Sequence, residues 1–367
     1  MNKPQKQGMY IHVPFCEGKC PYCDFYSVKA DNALMDAYTD SLIRALSCSP
    51  VDGIFDTIYF GGGTPNLLGA SRIEHILSAC YRTFSIADDT EITLEANPNT
   101  LTAPLLADLR GLGVTRLSIG AQSIHPHELA LLGRRHDSSQ IFKALDWAQA
   151  VGFKHVSLDL MMGLPGQQHS DIQKSVDTVA VLPIDHLSVY LLKIEEGTPF
   201  STRYAELDDD TFADFYLSTV DTLDKHGFIQ YEISNFTRPG GESRHNLKYW
   251  RLDPCLGIGP SAHSFMNGRR FFFESDLQTF LSASNPFDCC QDDGPGGDGE
   301  EYIMLGLRLA AGVSLSEAAV LGIDASLLAQ RAHPLLGQGY ARLDGDRLAL
   351  TPKGFLISNR IIAHLLA

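Results

Sequence analysis

The sequence predicts an α/β fold built around a parallel sheet. Short β-rich runs alternate with amphipathic helical stretches from residue 9 to about 237. Six or more such units follow one another, enough for an open or closed barrel. Glycines and polar residues crowd the C-terminal ends of the β runs, the end at which parallel β/α architectures build their sites.

The strand candidates, in order, are MYIHVPF (9–15), TIYFGGG (57–63), EITLEANP (91–98), RLSIGAQS (116–123), HVSLDLMMGLPG (155–166), HLSVYLLKI (186–194) and QYEISNF (230–236). Between them lie helical patterns such as ALMDAYTDSLIRAL, RIEHILSACYRTF and IFKALDWAQAVG. Gly111, Gly113 and Gly152 stand where helices should stop and turn into the next strand. The triplet Asp208–Asp210 is expected to cap a helix over 211–225. QDDGPGGDGEE (291–301) is acidic and glycine-rich and reads as a flexible connector. Beyond it, YIMLGLRLAAG, LSEAAVL and LLAQRAHPLLGQG predict three short helices. GYARLDGDRLALTPKGF predicts a hairpin with an Asp-Gly turn. Helices followed by a wing-like hairpin raise the question of DNA binding. Residues 300–367 hold six Lys/Arg against six Asp/Glu, so no basic recognition face stands out and a packing or substrate-covering module is expected.

A chain of 367 residues fits two domains, or one barrel with an extension. Apolar residues make up 44% and charged residues 20%, an ordinary globular balance. The formal net charge of −15 argues against nucleic acid as a partner. No stretch approaches the roughly 18 apolar residues of a membrane span, and MNKPQKQGMY has no apolar signal core. The expectation is a cytoplasmic protein, with room left for a peripheral membrane contact and for a homodimer. In a reducing compartment, clustered cysteines point to metal or redox chemistry rather than disulfides. Of the eight cysteines only Cys16, Cys20 and Cys23 form a motif. Cys48 and Cys80 fall on helical patterns and read as core thiols, Cys289 and Cys290 lie in a polar stretch, and Cys255 has no assigned role.

Cys16-x3-Cys20-x2-Cys23 follows the first strand directly. Three thiolates on so tight a loop can hold three irons of a [4Fe–4S] cube. No fourth cysteine follows, so one iron is left open to chelate the amino and carboxylate groups of a small molecule. The alternative is a structural zinc with His12 as fourth ligand, although structural zinc more often joins two ligand pairs. Pro14, Pro21 and Gly18 shape the loop.

The CxxxCxxC spacing after a first strand resembles the radical S-adenosylmethionine (SAM) superfamily. The longer string YIHVPFCEGKCPYCDF is similar to the branch that holds the oxygen-independent coproporphyrinogen oxidases and the HemW-type heme chaperones. The likeness runs over nearly all of residues 9–360. It implies a partial (β/α)6 TIM-like barrel over residues 1–237, a heme-site segment over 238–290, the linker 291–301, and a smaller winged-helix-like α+β domain over 302–367. It also implies that Cys16, Cys20 and Cys23 bind the cluster. The cluster would give one electron to SAM, and the protein would position SAM and exclude water and oxygen.

YFGGGTPNLL (59–68) ends the second strand with glycines that let a ligand approach the backbone; a phosphate loop would need a following GK[ST], which is missing. The resemblance assigns Gly62, Gly63 and Thr64 to SAM. Glu95 could bond its ribose hydroxyls or ammonium, or be a solvated rim charge. Gln122 and Asp159 close strands four and five. Arg134 or Arg135 could fork onto the SAM carboxylate, and Arg134 is favoured by its offset from Gln122. Tyr10 and Tyr22 flank the cluster loop as packing or as SAM contacts.

Two features separate the branches. The oxidases carry a further cysteine two residues after the third, where this chain has Phe25, as the HemW-type proteins do. HNLKYW (245–250) matches the HNxxYW signature of the chaperone branch. His245 is then expected to ligate heme, beside Tyr249 and Trp250; otherwise it is a core histidine. His263 in GIGPSAHSF is a second candidate. The expected function is a heme chaperone that uses a [4Fe–4S] cluster and SAM and passes heme to acceptor apo-haemoproteins. The alternatives are oxidative decarboxylation of coproporphyrinogen III and a radical SAM reaction on an unrelated substrate.

Overall fold

The computed structural model describes residues 5–367. Six strands run parallel: β1 (Lys6–Val13), β2 (Ile54–Gly62), β3 (Ser85–Ala96), β4 (Arg116–Gln122), β5 (His155–Met162) and β6 (His186–Leu191). Each is followed by helix: α1 (Asn32–Ser47), α2 (Gly69–Thr83), α3 (Ala103–Gly111), α4 (Pro126–Leu131) with α5 (Ser138–Ala150), α6 (His169–Ala180) and α7 (Asp209–Lys225). This is the expected set of six β/α units, opened out rather than closed.

The period-two alternation of the strands decides what fills the barrel. Outward positions are apolar. Ile58, Phe60, Leu94, Leu117, Ile119, Leu158 and Leu187 are fully buried under helix residues such as Leu42, Ile73, Ile141 and Val176. Each such side chain stabilises the fold by about 1.5–3 kcal/mol. Inward positions are polar: Tyr10, Tyr59, Glu95, Arg116, Ser118, Asp159, His186 and Ser188. A lumen so lined is built to hold a ligand rather than to pack.

Local signals set the helix ends. Asp137 and Gln140 close a capping box on α5. Gly113 and Gly152 take left-handed φ values of 94° and 85° just past α3 and α5, as expected. The Asp208 carboxylate accepts from Thr211 N at 3.0 Å and caps α7.

Several expectations are corrected. QYEISNF is not one strand. β7 (Ile229–Gln230) runs along the sheet edge, and a turn returns the chain as β8 (Asn235–Thr237), which pairs antiparallel with both β7 and β6. No helix separates the two, so only a hairpin can join them. The boundary at 237/238 does not divide the sheet. After helix α8 (Arg244–Trp250), β9 (Cys255–Ile258) pairs parallel with the far side of β1. β10 (His263–Met266), β11 (Arg269–Phe273) and β12 (Cys290–Pro295) continue the sheet antiparallel, giving twelve strands. The expected flexible linker at 291–301 is therefore an edge strand followed by a helix over Gly299–Gly306. Its acidic residues pair with the strand beside it: Asp292 with Arg269 at 2.5 Å, and Glu301 with Arg270. Gly294, at φ 85°, sits where the register shifts. Cys48, expected in the core, is exposed just past the end of α1.

The C-terminal module has the expected plan. Short helices over Gly299–Gly306, Leu315–Val320 and Ala325–Gly337 precede a hairpin of Ala341–Asp344 and Arg347–Leu350, Gly345 in its turn takes φ 56°, and Val313–Ser314, between the first two helices, adds a third antiparallel strand.

Candidate functional site

Two cavities lie at opposite ends of the lumen. The upper one, at the C-terminal strand ends, has a volume of about 430 Å³, within the ordinary range for small-molecule sites. Cys16, Cys20, Cys23, Tyr22, Gly62, Gly63, Thr64, Glu95, Gln122, Arg134 and Asp159 all line it. Residues spread over 144 positions of sequence thus meet because they lie on the inward face of a strand or in the loop that follows one. Phe25 is at its mouth, 61% exposed.

The cysteine loop leaves β1 and is tied by Cys23 N donating to Cys20 O at 3.2 Å. Thr64 Oγ1 lies 3.7 Å from Cys16 Sγ, and Arg134 Nη1 3.9 Å from Cys20 Sγ. A methyl group on Gly18 would come within 2.5 Å of Arg135 Nη2, and one on Gly63 within 2.5 Å of the Phe15 carbonyl oxygen. Gly63 thus lets the β2 end approach the start of the cysteine loop, and Gly18 lets that loop approach Arg135. Burial, aided by the Cys20 and Cys16 sulfurs, pushes the Cys23 thiol up, so three thiolates here call for a metal charge.

The donor spacing tests which metal fits. One tetrahedral zinc would draw its sulfurs to within roughly 3.8 Å of each other. Among the described residues, the group of potential ligands whose atoms all lie within 4.8 Å is His127, Glu128 and Asp171, not the cysteines. His12, the fourth ligand of the zinc alternative, is engaged elsewhere: Nδ1 with the Tyr10 hydroxyl at 3.0 Å and Nε2 with Tyr26 O at 3.2 Å. The trio therefore fits an iron–sulfur cube, whose thiolates sit on separate irons.

The rest of the cavity is polar and held in place. Glu95 accepts from Tyr59 Oη at 2.7 Å and from Gly62 N at 3.1 Å. Burial, with Asp159 nearby, raises its carboxyl to about 7 despite those two bonds. Burial likewise raises Asp159 to about 6, against its bonds with Ser188 and Ser118; Ser118 Oγ lies 3.2 Å away. Two carboxyl groups with raised pKa values gain from any ligand that brings an ammonium or sulfonium charge. Arg134 donates to Asn97 Oδ1 and, at 2.7 Å, to Gly120 O. Arg135 also lines the cavity, so both arginines reach it, with Arg134 on the strand ends and Arg135 on the cysteine loop. Gln122 has φ 64°, a conformation unusual for a residue with a side chain, at the point where β4 opens into the cavity.

Sequence reasoning missed Asn97, which bonds both Arg134 and, at 2.9 Å, Thr64, and the lumen residues Ser118, Ser188 and Tyr190. The signal for the last three was in plain view, since they alternate with outward apolar residues on their strands.

Two of the expected site residues make contacts within the wall of the lumen. Tyr10 does not line either cavity; its hydroxyl bonds His12 and its ring packs against Tyr59 and His245. His245, expected to ligate heme, is fully buried. Its Nδ1 lies 2.8 Å from Thr57 Oγ1, its Nε2 2.9 Å from Tyr249 Oη, and its ring stacks on Tyr59 with centroids 5.0 Å apart. Burial lowers its pKa to about 3, so it stays neutral. Both ring nitrogens are thus engaged inside the wall of the lumen, where the ring ties α8 to the sheet. Cys255 packs against it at 3.9 Å. His263 is exposed and stacks on Phe272.

The lower chamber, about 1160 Å³, opens at the N-terminal strand ends and is roofed by the C-terminal module. Arg116 belongs to the partition. Its Nε pairs with Glu91 at 3.0 Å, and its Nη2 donates to Gly241 O at 2.9 Å and Glu242 O at 3.0 Å. Along α8 and its approach, Ser243 and Asn246 face the upper cavity, and Arg244, Leu247 and Trp250 the lower.

Comparison with known proteins matches residues 10–179 to the radical SAM superfamily and residues 298–357 to the HemN C-terminal domain. The chain is 36% identical to the heme chaperone HemW of Mycobacterium tuberculosis, over 99% of this chain and 95% of that protein. It is 32% identical to the heme chaperone HemW of Escherichia coli, over 98% of each. The solved structure of coproporphyrinogen III oxidase from Escherichia coli superposes with a TM-score of 0.81 at 22% identity, covering 99% of this chain and 90% of that one, a likeness of fold.

Proposed function

The chain belongs to the radical SAM superfamily, in the family of the HemW heme chaperones, and from that premise we propose that it binds heme and passes it to acceptor apo-haemoproteins. The observation that carries the SAM half of this reading is the upper cavity, where three cysteines and a polar pocket share one space. Cys16, Cys20 and Cys23 would hold a [4Fe–4S] cluster, and Glu95, Gln122, Arg134 and Asp159 would hold SAM. The cluster, when bound, supplies one-electron chemistry toward SAM. The chain's own residues do the rest. Arg134 offers a guanidinium fork to a carboxylate, Glu95 and Asp159 accept from ammonium and hydroxyl groups, and the glycines of β2 let the ligand touch backbone.

Phe25 in the position of a further cysteine favours the carrier over the oxidase. An anaerobic titration of the cluster-loaded protein with heme tests this. A saturable Soret shift, and loss of that heme to an apo-haemoprotein, are expected. Stoichiometric conversion of coproporphyrinogen III with formation of 5′-deoxyadenosine would overturn the reading in favour of the oxidase. No membrane-spanning helix is present among the described residues.

A further inference from the structure

The floor of the upper cavity holds two buried polar atoms with nothing to bond. Arg116 is 2% exposed and Thr93 1%. Among the described residues, neither Arg116 Nη1 nor Thr93 Oγ1 has a hydrogen-bond partner. The two residues are direct neighbours in the parallel β3–β4 register, and both line the upper cavity. A buried polar group left unpaired costs free energy until a partner arrives. Two of them side by side on one wall form a place for a ligand.

The chemistry of that place follows from what is already engaged. The Arg116 guanidinium uses one edge of its plane on the partition. Nε pairs with Glu91 at 3.0 Å, and Nη2 donates to the carbonyls of Gly241 and Glu242. Nη1, away from that edge, keeps both its hydrogens. His186 lines the same cavity and is fully engaged, with Nδ1 2.7 Å from Ser157 Oγ and Nε2 2.7 Å from Tyr231 Oη. Burial, with Arg116 nearby, lowers its pKa to about 3, so it stays neutral and the floor's positive charge is that of Arg116. A guanidinium N–H with a hydroxyl beside it matches a carboxylate, whose two oxygens accept from both. Glu95 and Ser118 follow two residues further along the same strands, about 7 Å higher in the lumen. A molecule held at the floor by its carboxylate thus turns the rest of itself toward Glu95 and toward Asp159, which Ser118 bonds.

We infer that Arg116 Nη1 and Thr93 Oγ1 form a carboxylate subsite on the floor of the upper cavity, and that it receives a second small molecule beneath the residues assigned to SAM. This rests on the reading of the upper cavity as a SAM site. Arg116 then serves two ends, closing the partition through Glu91 and anchoring a ligand through Nη1.

The test uses the cluster-loaded full chain under argon, saturated with SAM. Carbon-13-labelled formate and acetate are titrated at constant ionic strength against chloride and followed by nuclear magnetic resonance, and SAM affinity is read by equilibrium dialysis. The wild type is expected to bind the carboxylates saturably. Thr93→Ser, which keeps the hydroxyl, should bind them as wild type does. Thr93→Val and Arg116→Lys should weaken them fivefold or more, with SAM affinity in Thr93→Val unchanged. Absence of saturable carboxylate binding by the SAM-loaded wild type would overturn the subsite and leave a floor that holds water only. Unchanged carboxylate affinity in Thr93→Val would overturn it too, even if Arg116→Lys failed to fold. A fall in SAM affinity in step with that of the carboxylates in Thr93→Val would show that the floor takes the carboxylate of SAM itself, which overturns the second molecule. Failure of the cluster-loaded wild type to bind SAM would remove the SAM reading of the cavity, and the inference with it.

Discussion

The two ends of the barrel are made from the same strands and differ in almost every chemical respect. The upper end has thiols, two protonatable carboxyl groups, glycines against backbone and a strained Gln122. The lower end has guanidinium groups, an indole and an imidazole backed by a carboxylate. The upper end is assembled mainly from residues on or just after successive strand ends, and the lower from strand starts, α8 and the C-terminal module. One sheet can thus carry two cavities because its lumen is polar along its length, and the partition at Arg116 and Glu91 is what keeps them apart.

Four experiments break or sharpen that contrast. The largest effect is expected from Cys20→Ser, which should abolish cluster binding at the upper end, measured as iron and sulfide content and the brown absorbance near ~400 nm. Retained iron at wild-type stoichiometry would mean that the sulfurs are not the ligands. Next, Arg116→Met breaks the partition. It leaves Glu91 buried with its charge unpaired, the two side chains being 3% and 7% exposed, and should cost about 3–5 kcal/mol in denaturant unfolding. A loss below about 1 kcal/mol would show that water already enters the partition.

Arg134→Lys keeps the charge of the upper site but not its fork. SAM affinity, read by equilibrium dialysis of the cluster-loaded protein, should fall about tenfold or more. The smallest effect is in stability. Glu95 has a carboxyl raised from the usual 4.5 to about 7, so the folded chain binds this proton more tightly than the unfolded one. Its contribution is fully present below about pH 4.5 and is lost as pH rises through about 7. Glu95→Gln should therefore stabilise the ligand-free protein by about 1–2 kcal/mol at pH 8, less than the full shift because water reaches the cavity, and weaken SAM binding. Equal stability of both forms at pH 5 and pH 8 would contradict the raised value.

The same contrast explains what was legible in the sequence. The upper site could be read because its residues lie at strand ends, and strand ends are marked by glycines and a change of hydrophobic period. The cysteine spacing added a signal that composition alone does not carry. The lower chamber could not be read. Arg116 and His155 look like ordinary first residues of strands, and nothing local says that Arg342 comes to face them. The contacts of His245 were hidden for a related reason. The partner that occupies its Nδ1, Thr57, lies 188 positions away on β2, and a histidine between polar and aromatic neighbours looks available until that partner is placed. The acidic stretch at 291–301 was misread because glycine and aspartate signal a loop only when no neighbouring strand supplies arginines to meet them.

The edge strand β12 has one more effect. It presents Asp292 and Asp293, both exposed, with Gly294 and Pro295 after them, along a rim of the sheet. A second copy docking there by strand addition would bring like charges together across the new ladder and meet a residue without an amide hydrogen. Self-association through this border, and the fibrous stacking to which broad sheets are prone, are thereby opposed by the same few residues that hold the border in place.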